Sequence, residues 1–215
     1  MLVSIIITNY NYGKYLKFCL ESCFNQLFPK KNYEVILVDD CSSDKSIDVV
    51  KQFSKKKNFK LIVNKKNLGV AASSNIGILK SKGNFFVRVD SDDHVNKNFI
   101  KNLYDLHKKD PKILGATSDY YYVNNNGKKL KKLSYKQKPI SCGVMYNKKR
   151  LIKLGLYNDR FKHREEEELR KRLGKKYILK NLSKPLYNYR MHNSNKTKNK
   201  SFMRKFKLRL SKLYN

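Results

Sequence analysis

Residues 2–40 read LVSIIITNYNYGKYLKFCLESCFNQLFPKKNYEVILVDD, and their pattern of apolar and polar side chains predicts the first elements of the fold. Two short apolar, β-branched runs, residues 2–8 and 34–39, are bounded by turn residues, which is typical of strands buried on both faces of a parallel sheet. Between them, residues 14–27 repeat side chains such as Tyr15 and Cys19 at three- and four-residue spacings, which predicts a helix laid against that sheet. Strand, helix and strand in this order predict a βαβ unit.

The alternation continues through the first hundred residues. It predicts a helix over 44–55, a strand over 59–64, a helix over 70–81 and a strand over 84–90. The fold class is therefore α/β, a Rossmann-like, mostly parallel sheet flanked by helices. Ligands of such sheets bind at the carboxyl ends of the strands. Polar and acidic side chains gather there: Thr8, Asn9, Tyr10, Asp39, Asp40, Asp90, Asp92 and Asp93.

The pattern changes after about residue 114. Residues 117–123 and 129–135 flank the turn NNNG, which predicts a hairpin and a smaller mixed C-terminal part. A chain of 215 residues with 40% hydrophobic content can bury one sizeable core. We expect one domain over residues 1–192, a tail over 193–215 and no second catalytic domain.

The charge is extreme, because 49 Lys and Arg stand against 17 Asp and Glu and leave a formal +32. Such a surface attracts nucleic acid, anionic lipid and phosphorylated substrates alike, and charge alone does not choose among them. The abundance of residue types with A/T-rich codons contributes to this basicity. No nucleic-acid-binding motif is present, so we expect no specific nucleic-acid partner.

The four cysteines form no C-x-x-C pair and have no histidine at zinc-finger spacing, so we expect buried free thiols rather than disulfides or structural zinc. No cationic region precedes the first apolar run, and no run approaches the roughly 20 residues that cross a bilayer. These patterns predict a cytoplasmic protein with at most a peripheral membrane contact.

The tail SFMRKFKLRLSKLY, residues 201–214, repeats apolar side chains at helical spacing and fills the opposite face with cations. The apolar positions are Phe202, Phe206, Leu210 and Leu213. A basic amphipathic helix over 202–213 suits an anionic membrane surface. The alternatives are a helix packed on the domain and a frayed terminus.

The run VRVDSDD, residues 87–93, is an apolar strand that ends in three carboxylates within four residues. Divalent cations such as Mg²⁺ or Mn²⁺ prefer oxygen ligands and often bridge carboxylates to substrate phosphates. The run therefore indicates a metal-diphosphate site, and a solvated acidic turn is the alternative.

Four segments, SIIITNYNYGKYL, ILVDDCSSDKS, NLGVAASSNIGI and VRVDSDD, stand in the order found in family 2 glycosyltransferases of the GT-A fold. The resemblance covers residues 2 to about 192. It implies an inverting, metal-dependent enzyme that moves a sugar from a nucleotide diphosphate to a hydroxyl of a cell-surface glycan or lipid-linked oligosaccharide. The donor sugar and the linkage do not follow from it.

By resemblance, the nucleotide contacts Thr8, Tyr10 and Asp40, and the donor also contacts Asn75, Asp90 and Ser91. A tyrosine ring offers a stacking face, and the Asp40 carboxylate can accept the imide hydrogen of uracil, so we favour a UDP-sugar. Thr8 and Tyr10 could equally be strand-end residues with satisfied hydroxyls. The family usually carries an arginine just before Asn75, where this chain has Ser74.

The run FKHREEEELRKRL, residues 161–173, resembles the acidic pair that opens a helix in this family and supplies the general base. By register Glu165 is the first acid and Glu166 the second, and Glu166 is the predicted base, one methylene longer than the usual aspartate. The alternative is a solvated helix whose acids pair with neighbouring cations, which is all we expect of Glu167 and Glu168.

The element LYNYRMH ends at His192, and the resemblance implies that this histidine reaches the metal or the diphosphate. The predicted metal ligands are thus Asp90, Asp92 and His192. Two rival functions stay open. One is an inactive relative that binds polyanions or membrane, and the other is transfer to a lipid phosphate.

Overall fold

The computed structural model describes residues 1–193, 195 and 200–214, and the side chains of all of these except Lys200 and Phe202. Its first half is a parallel sheet in the order β3-β2-β1-β4. The four strands are β1 (Val3–Asn9), β2 (Tyr33–Asp39), β3 (Phe59–Val63) and β4 (Phe85–Asp90). All four predicted strands are confirmed within two residues.

Three helices connect these strands: α1 (Gly13–Phe24), α2 (Ser46–Lys51) and α3 (Val70–Lys80). Helix α2 is shorter than the predicted 44–55. Its start is set by Asp44, whose Oδ1 accepts a hydrogen bond from the backbone N–H of Ser46 (2.9 Å) and whose Oδ2 accepts one from Gly13 (2.8 Å). Asp44 therefore ties the start of α2 to the start of α1 instead of joining the helix.

The second half adds further strands to the same sheet and further helices around it. They are β5 (His94–Val95), α4 (Phe99–Lys109), β6 (Gly115–Val123), β7 (Lys129–Leu133), β8 (Met145–Asn147), α5 (Lys148–Lys153), α6 (Glu165–Leu173), β9 (Leu179–Arg190) and α7 (Lys200–Tyr214). Strand β8 pairs antiparallel with β4 and with β6, while β6 pairs parallel with β9. The predicted hairpin is confirmed as β6 and β7. The mixed part thus continues the parallel sheet and is not a separate layer.

Strands β1, β2 and β4 are buried on both faces, as their continuous apolar sequences predict, whereas the edge strand β3 is largely exposed. One face, with Ile5 and Leu37, packs under α1, and the other, with Ile6 and Val38, packs under α3. Each such fully buried side chain contributes roughly 1.5–3 kcal/mol. Helix α3 comes so close that a Cβ added at Gly77 would lie 2.6 Å from Cγ2 of Ile6. This close packing fixes the start of α3 relative to the strand ends.

Helix α7 packs on the domain. Phe206 and Leu210 are buried against Phe161, while Leu208 and Leu213 are more than half exposed. The side chain of Phe202, which was predicted on the apolar face of this helix, is not among those described. Most of the polar stretch 193–200 also lies outside the described residues. The predicted division at residue 192 stays a prediction.

Within the described part of the chain, no helix has both the length and the apolar character to cross a bilayer. The cysteines are free: Cys19, Cys23 and Cys142 are buried as expected, but Cys41 is exposed because it lies in the loop after β2.

Candidate active site

A cavity of about 500 Å³ opens at the carboxyl ends of β1, β2 and β4 and extends to α6. Seven of the ten predicted site residues line it: Thr8, Tyr10, Asp40, Asp90, Ser91, Asp92 and Glu165. They meet because Thr8 on the central strand β1 is in register with Val38 on one side and Asp90 on the other. The predicted site is therefore one cavity, and the other three residues need separate description.

Asp40 forms the inner wall of the cavity below β2. Its carboxylate accepts hydrogen bonds from Asn64 Nδ2 (2.9 Å) and from the backbone N–H groups of Leu68 (2.9 Å) and Gly69 (2.8 Å). Asp40 thereby holds the loop that leads into α3. The preceding acid, Asp39, is fully buried and turned away from the cavity.

The loops after β1 and β2 are bonded to each other. Asn11 Oδ1 accepts from the backbone N–H of Ser43 (2.8 Å), and Ser42 Oγ accepts from the N–H of Asn11 (3.0 Å). Asn11 and Cys41 adopt left-handed backbone angles (φ 58° and 66°), which non-glycine residues rarely do outside constrained loops. This pair of loops presents Tyr10, 37% exposed, at the rim of the cavity.

The acidic cluster divides into two open carboxylates and one buried carboxylate. Asp90 and Asp92 line the cavity. Asp93 is buried and accepts from the hydroxyl of Tyr187 (2.7 Å) and the backbone N–H of Arg190 (2.8 Å). Burial, together with the nearby charges of Asp92 and Asp90, raises the pKa of Asp93. Asp93 therefore joins the end of β4 to β9 and is not available as an open ligand.

His192 does not line the cavity, but its ring reaches the acidic cluster. Nε2 lies 2.8 Å from Oδ2 of Asp92, and the ring packs on those of Tyr12 and Tyr15. Two ligand atoms of one octahedral ion, each about 2.1 Å from it, stand about 3 Å apart, so this spacing suits two neighbouring ligands of one cation. Together with Asp90, these donors fit Mg²⁺ or Mn²⁺.

A second possible donor set consists of Asp90, Asp93 and Cys142, whose ligand atoms lie within 4.8 Å of one another. It fits a hard cation less well. A thiol is a soft ligand, and the Asp93 carboxylate already accepts two hydrogen bonds. Burial raises the pKa of the Cys142 thiol, which disfavours the thiolate that a metal would need.

Arg88, which no sequence pattern singled out, also lines the cavity. It is 2% exposed, and its Nη1 donates to Glu165 Oε1 (2.7 Å) while Nε lies 3.3 Å from Asp90 Oδ1. Nη2 donates to the carbonyl of Ser141 (2.7 Å). Burial acts to lower the pKa of Arg88, but the charges of Asp90 and Glu165 outweigh it and raise that pKa. The one available signal was a cation inside an apolar strand.

Glu165 and Glu166 point to different sides of α6, since consecutive helix residues project about 100° apart. Glu165 faces the cavity, and Arg164 before it adopts a left-handed backbone (φ 60°). Glu166 is fully buried behind the helix, where Oε1 accepts from the hydroxyls of Tyr146 and Tyr177. Burial raises the pKa of Glu166. The structure therefore does not bring the predicted base to the cavity.

The other two acids of the run also differ from each other. Glu167 pairs with Arg164 as expected. Glu168 pairs with Arg172 as expected (Nε to Oε1, 2.9 Å), but it is not solvated: it is buried, and it also accepts from the hydroxyl of Tyr214 (2.6 Å). Glu168 thus connects α6 to α7.

Asn75 also lies away from the cavity lining. Its Nδ2 donates to the carbonyl of Tyr157 (2.8 Å), and its Oδ1 accepts from the backbone N–H of the same residue (3.2 Å). Ser74 is buried and donates to the carbonyl of Val70 within α3 (2.6 Å). The Arg88 guanidinium stands 5.5 Å from the ring centre of Tyr157, close to this part of α3.

Comparison with known proteins finds glycosyltransferases among the relatives of this chain. A dolichyl N-acetyl-alpha-D-glucosaminyl phosphate 3-beta-D-2,3-diacetamido-2,3-dideoxy-beta-D-glucuronosyltransferase of Methanococcus voltae is 37% identical over 131 residues, 58% of this chain and 40% of that protein. The poly(ribitol-phosphate) beta-N-acetylglucosaminyltransferase TarS of Staphylococcus aureus is 37% identical over 103 residues, 47% of this chain and 18% of that protein. The chain thus matches less than half the length of either relative.

Solved structures show the same fold. The crystal structure of S. aureus TarS 1-349 in complex with UDP superposes with a TM-score of 0.76 at 25% identity, covering 89% of this chain and 61% of that chain. The mannosyltransferase PcManGT of Pyrobaculum calidifontis, in complex with GDP-Man and Mn²⁺, gives a TM-score of 0.73 at 15% identity, over 90% of this chain and 58% of that one. The predicted GT-A fold is confirmed. Since the model of glycosyl transferase family 2 matches residues 4–173, the chain belongs to that family.

Proposed function

We propose that this chain transfers a sugar from a UDP-sugar to an acceptor hydroxyl, with inversion at the anomeric carbon and with a divalent metal on the diphosphate. The observation that carries the proposal is a single cavity lined by the Asp40 wall, the open carboxylates Asp90 and Asp92, and Glu165. Such a transfer needs a site for the nucleobase, a site for a divalent cation and a proton acceptor, and these groups supply the three in that order.

Uridine is supported as the nucleotide by the TarS complex with UDP and by the hydrogen bonding of Asp40. Oδ2 of Asp40 accepts one hydrogen bond, from Gly69, and a carboxylate oxygen has a second lone pair. That lone pair can take the imide N–H of uracil, a donor that cytosine lacks. Tyr10 at the rim offers a ring face to the base, and Thr8 and Ser91 offer hydroxyls to the rest of the donor.

Asp90, Asp92 and His192 would hold Mn²⁺ or Mg²⁺. When bound there, the cation supplies positive charge to the departing nucleoside diphosphate. The chain also supplies a cation of its own, since Arg88 places a buried guanidinium beside Asp90. We assign to Arg88 the neutralising role that Ser74 cannot fill, because serine has no charge and its hydroxyl donates within α3.

We assign the general base to Glu165 rather than to Glu166. Inversion requires a base that reaches the acceptor hydroxyl on the side opposite the leaving diphosphate. Glu165 lines the cavity across Arg88 from Asp90, and the ion pair with Arg88 fixes the orientation of its carboxylate. Glu166 holds the hydroxyls of Tyr146 and Tyr177 and so anchors α6.

The acceptor is a glycan or a lipid-linked oligosaccharide, which the names of the Methanococcus and Staphylococcus relatives support. An anionic membrane contact through 202–213 has less support than its sequence pattern indicates, because Phe206 and Leu210 already pack on the domain. The cations of α7 and the exposed Leu208 and Leu213 remain for such a contact. The cytoplasmic location stays a prediction.

Calorimetric titration of UDP, GDP and CDP, with and without Mn²⁺, tests the donor site. We expect UDP to bind tightly only with Mn²⁺ and the Asp92→Ala variant to lose this metal dependence. If the folded protein binds no nucleotide under any condition, the proposed activity is wrong and the inactive, polyanion-binding alternative takes its place.

A further inference from the structure

The positive charge of the chain is concentrated in residues 120–215, after the four parallel strands β1 to β4. Residues 1–119 contain 20 of the 49 Lys and Arg and 12 of the 17 Asp and Glu, a formal +8. Residues 120–215 contain the other 29 and 5, a formal +24. A bias toward A/T-rich codons would act on both halves alike, so it does not explain the difference.

Most acids of the second half are already occupied. Glu165 pairs with Arg88 and Glu167 with Arg164, while Glu166 and Glu168 are buried and hydrogen-bonded. The fifth acid, Asp159, is exposed. The cations of this half therefore have few carboxylate partners within the chain.

Three cations of residues 120–215 line the cavity, and one of them is Arg164. The other two are Lys138, in the segment after β7, and Arg170, on α6. Among the residues that the structure describes, no carboxylate lies within ion-pairing distance of either side chain, whereas the cavity cations Arg88 and Arg164 are both paired. Lys138 and Arg170 therefore have no ion-pair partner in the described part of the chain, although the charge of Arg170 also acts on the buried Glu166.

Lys138 is exposed, but its backbone is fixed. Its N–H donates to the carbonyl of Ser134 (3.0 Å), and its carbonyl accepts from the hydroxyl of Tyr120 (2.9 Å). Its Nζ lies 5.2 Å from the ring centre of Tyr122. Lys138 is therefore a positioned cation on the cavity wall.

An aromatic pair lies beside Lys138. The rings of Tyr122 and Tyr189, on neighbouring strands β6 and β9, are 5.6 Å apart, and both residues line the cavity. Tyrosine combines an apolar ring face with a polar hydroxyl, which suits a hydroxyl-rich chain that has C–H surfaces. Aromatic rings suit a carbon skeleton with C–H surfaces, and the neighbouring cations suit anionic groups attached to that skeleton.

We propose that the acceptor is itself anionic, a hydroxyl-bearing chain of phosphodiester-linked units. Its carbon skeleton lies on Tyr122 and Tyr189, and its phosphates bind Lys138 and Arg170. Arginine pairs with phosphate through two parallel hydrogen bonds, and lysine acts as a point charge. The inference rests on the proposed transferase function, because it names the acceptor of the same cavity.

The test uses the full chain with UDP and Mn²⁺ present, and its probe is a synthetic octamer of glycerol phosphate. Calorimetry should show binding that weakens with added salt, and the Lys138→Gln and Arg170→Gln variants should each lose at least tenfold in affinity for the octamer. Lys60→Gln, an exposed lysine on the far strand β3, is the matched control and should stay within twofold of wild type. UDP affinity should be the same in all four proteins.

Four results would overturn the inference. The first is binding of the neutral sugar chain maltooctaose as tight as that of the octamer. The second is a loss in Lys60→Gln as large as in Lys138→Gln, which would show that the octamer responds to the general positive charge and not to a defined site. The third is no octamer binding at all. The fourth is loss by Lys138→Gln of capture on phosphatidylglycerol vesicles, which would assign the residue to a lipid surface. Absence of UDP binding would instead refute the transferase proposal.

Discussion

Arg88 and Glu165 are 77 positions apart in the chain, yet Nη1 of one lies 2.7 Å from Oε1 of the other, with both side chains buried. This ion pair joins strand β4 to helix α6. The same guanidinium also lies 3.3 Å from Asp90. A single cation therefore sets the relative position of the proposed metal ligand and the proposed base.

Replacing Arg88 with an uncharged residue should lower the free energy of unfolding. Arg88→Met leaves the buried carboxylate of Glu165 without its cation, and breaking a buried pair from one side costs about 3–5 kcal/mol. Urea unfolding should show that loss, and the double variant Arg88→Met/Glu165→Gln should be less destabilised than the two single losses predict. Strict additivity would contradict the described contact.

The role of Arg88 in donor binding has its own test. Arg88→Lys keeps the charge but loses the planar group that reaches two carboxylates. We expect it to fold and to bind UDP with Mn²⁺ at least tenfold more weakly. Adding Ser74→Arg should restore part of that affinity, because it returns a cation to the position where the family usually has one. Unchanged UDP affinity in Arg88→Lys would refute a donor role.

Substitutions of Glu165 and Glu166 should differ in their effect on kcat. Glu165→Gln should lower kcat by about 10²–10⁴-fold, the usual contribution of a general base, while UDP affinity stays near wild type. Glu166→Gln should keep most of the transfer rate, because the amide oxygen can still accept from Tyr146 and Tyr177. The opposite order of effects would return the base to Glu166.

Glu166 should also give the stability a measurable dependence on pH. Burial raises its pKa in the folded state, so the folded protein holds this proton more tightly than the unfolded chain does. The resulting stabilisation is complete below the ordinary glutamate pKa and is lost as pH rises through the raised value. The free energy of unfolding of wild type, compared with Glu166→Gln, should therefore fall as pH rises from about 4 toward neutrality. A constant difference would contradict the raised pKa.

His192 should increase the affinity of the site for the metal ion. His192→Gln removes the ring that meets Asp92, so we expect at least a tenfold increase in the Mn²⁺ concentration needed for half-maximal UDP binding. His94→Gln is the control, because burial lowers the pKa of His94 to about 4 and its ring packs on Phe18 outside the cavity lining. Equal effects of the two substitutions would count against His192 as a ligand.

Much of the fold could be predicted, because apolar strands buried on both faces and helices with one buried face leave strong periodic patterns. The hairpin of β6 and β7 followed from its turn residues. The two-residue strand β5 and the three-residue strand β8 could not be predicted, since they are too short to show a period. Helix α7 shows another limit: Phe206 and Leu210 have the same spacing whether they face a membrane or Phe161.

The candidate site was predictable where strand ends carry it, as with Asp40, Asp90 and Asp92. It was less predictable on α6. A shift of one residue along α6 moves a side chain from the cavity to the protein core. Four consecutive glutamates do not indicate which one faces the cavity. The role of Arg88 could not be predicted, because it depends on an ion pair with Glu165, which is distant in the sequence and near only in the folded chain.

Asp40 performs two tasks with one carboxylate, since it walls the proposed base pocket and holds the loop at Leu68 and Gly69. A mutation at position 40 that altered nucleotide choice would also release the entrance to α3. Natural divergence and laboratory engineering of donor preference should therefore act through rim positions such as Thr8 and Tyr10, which carry no such structural duty, and position 40 should resist both.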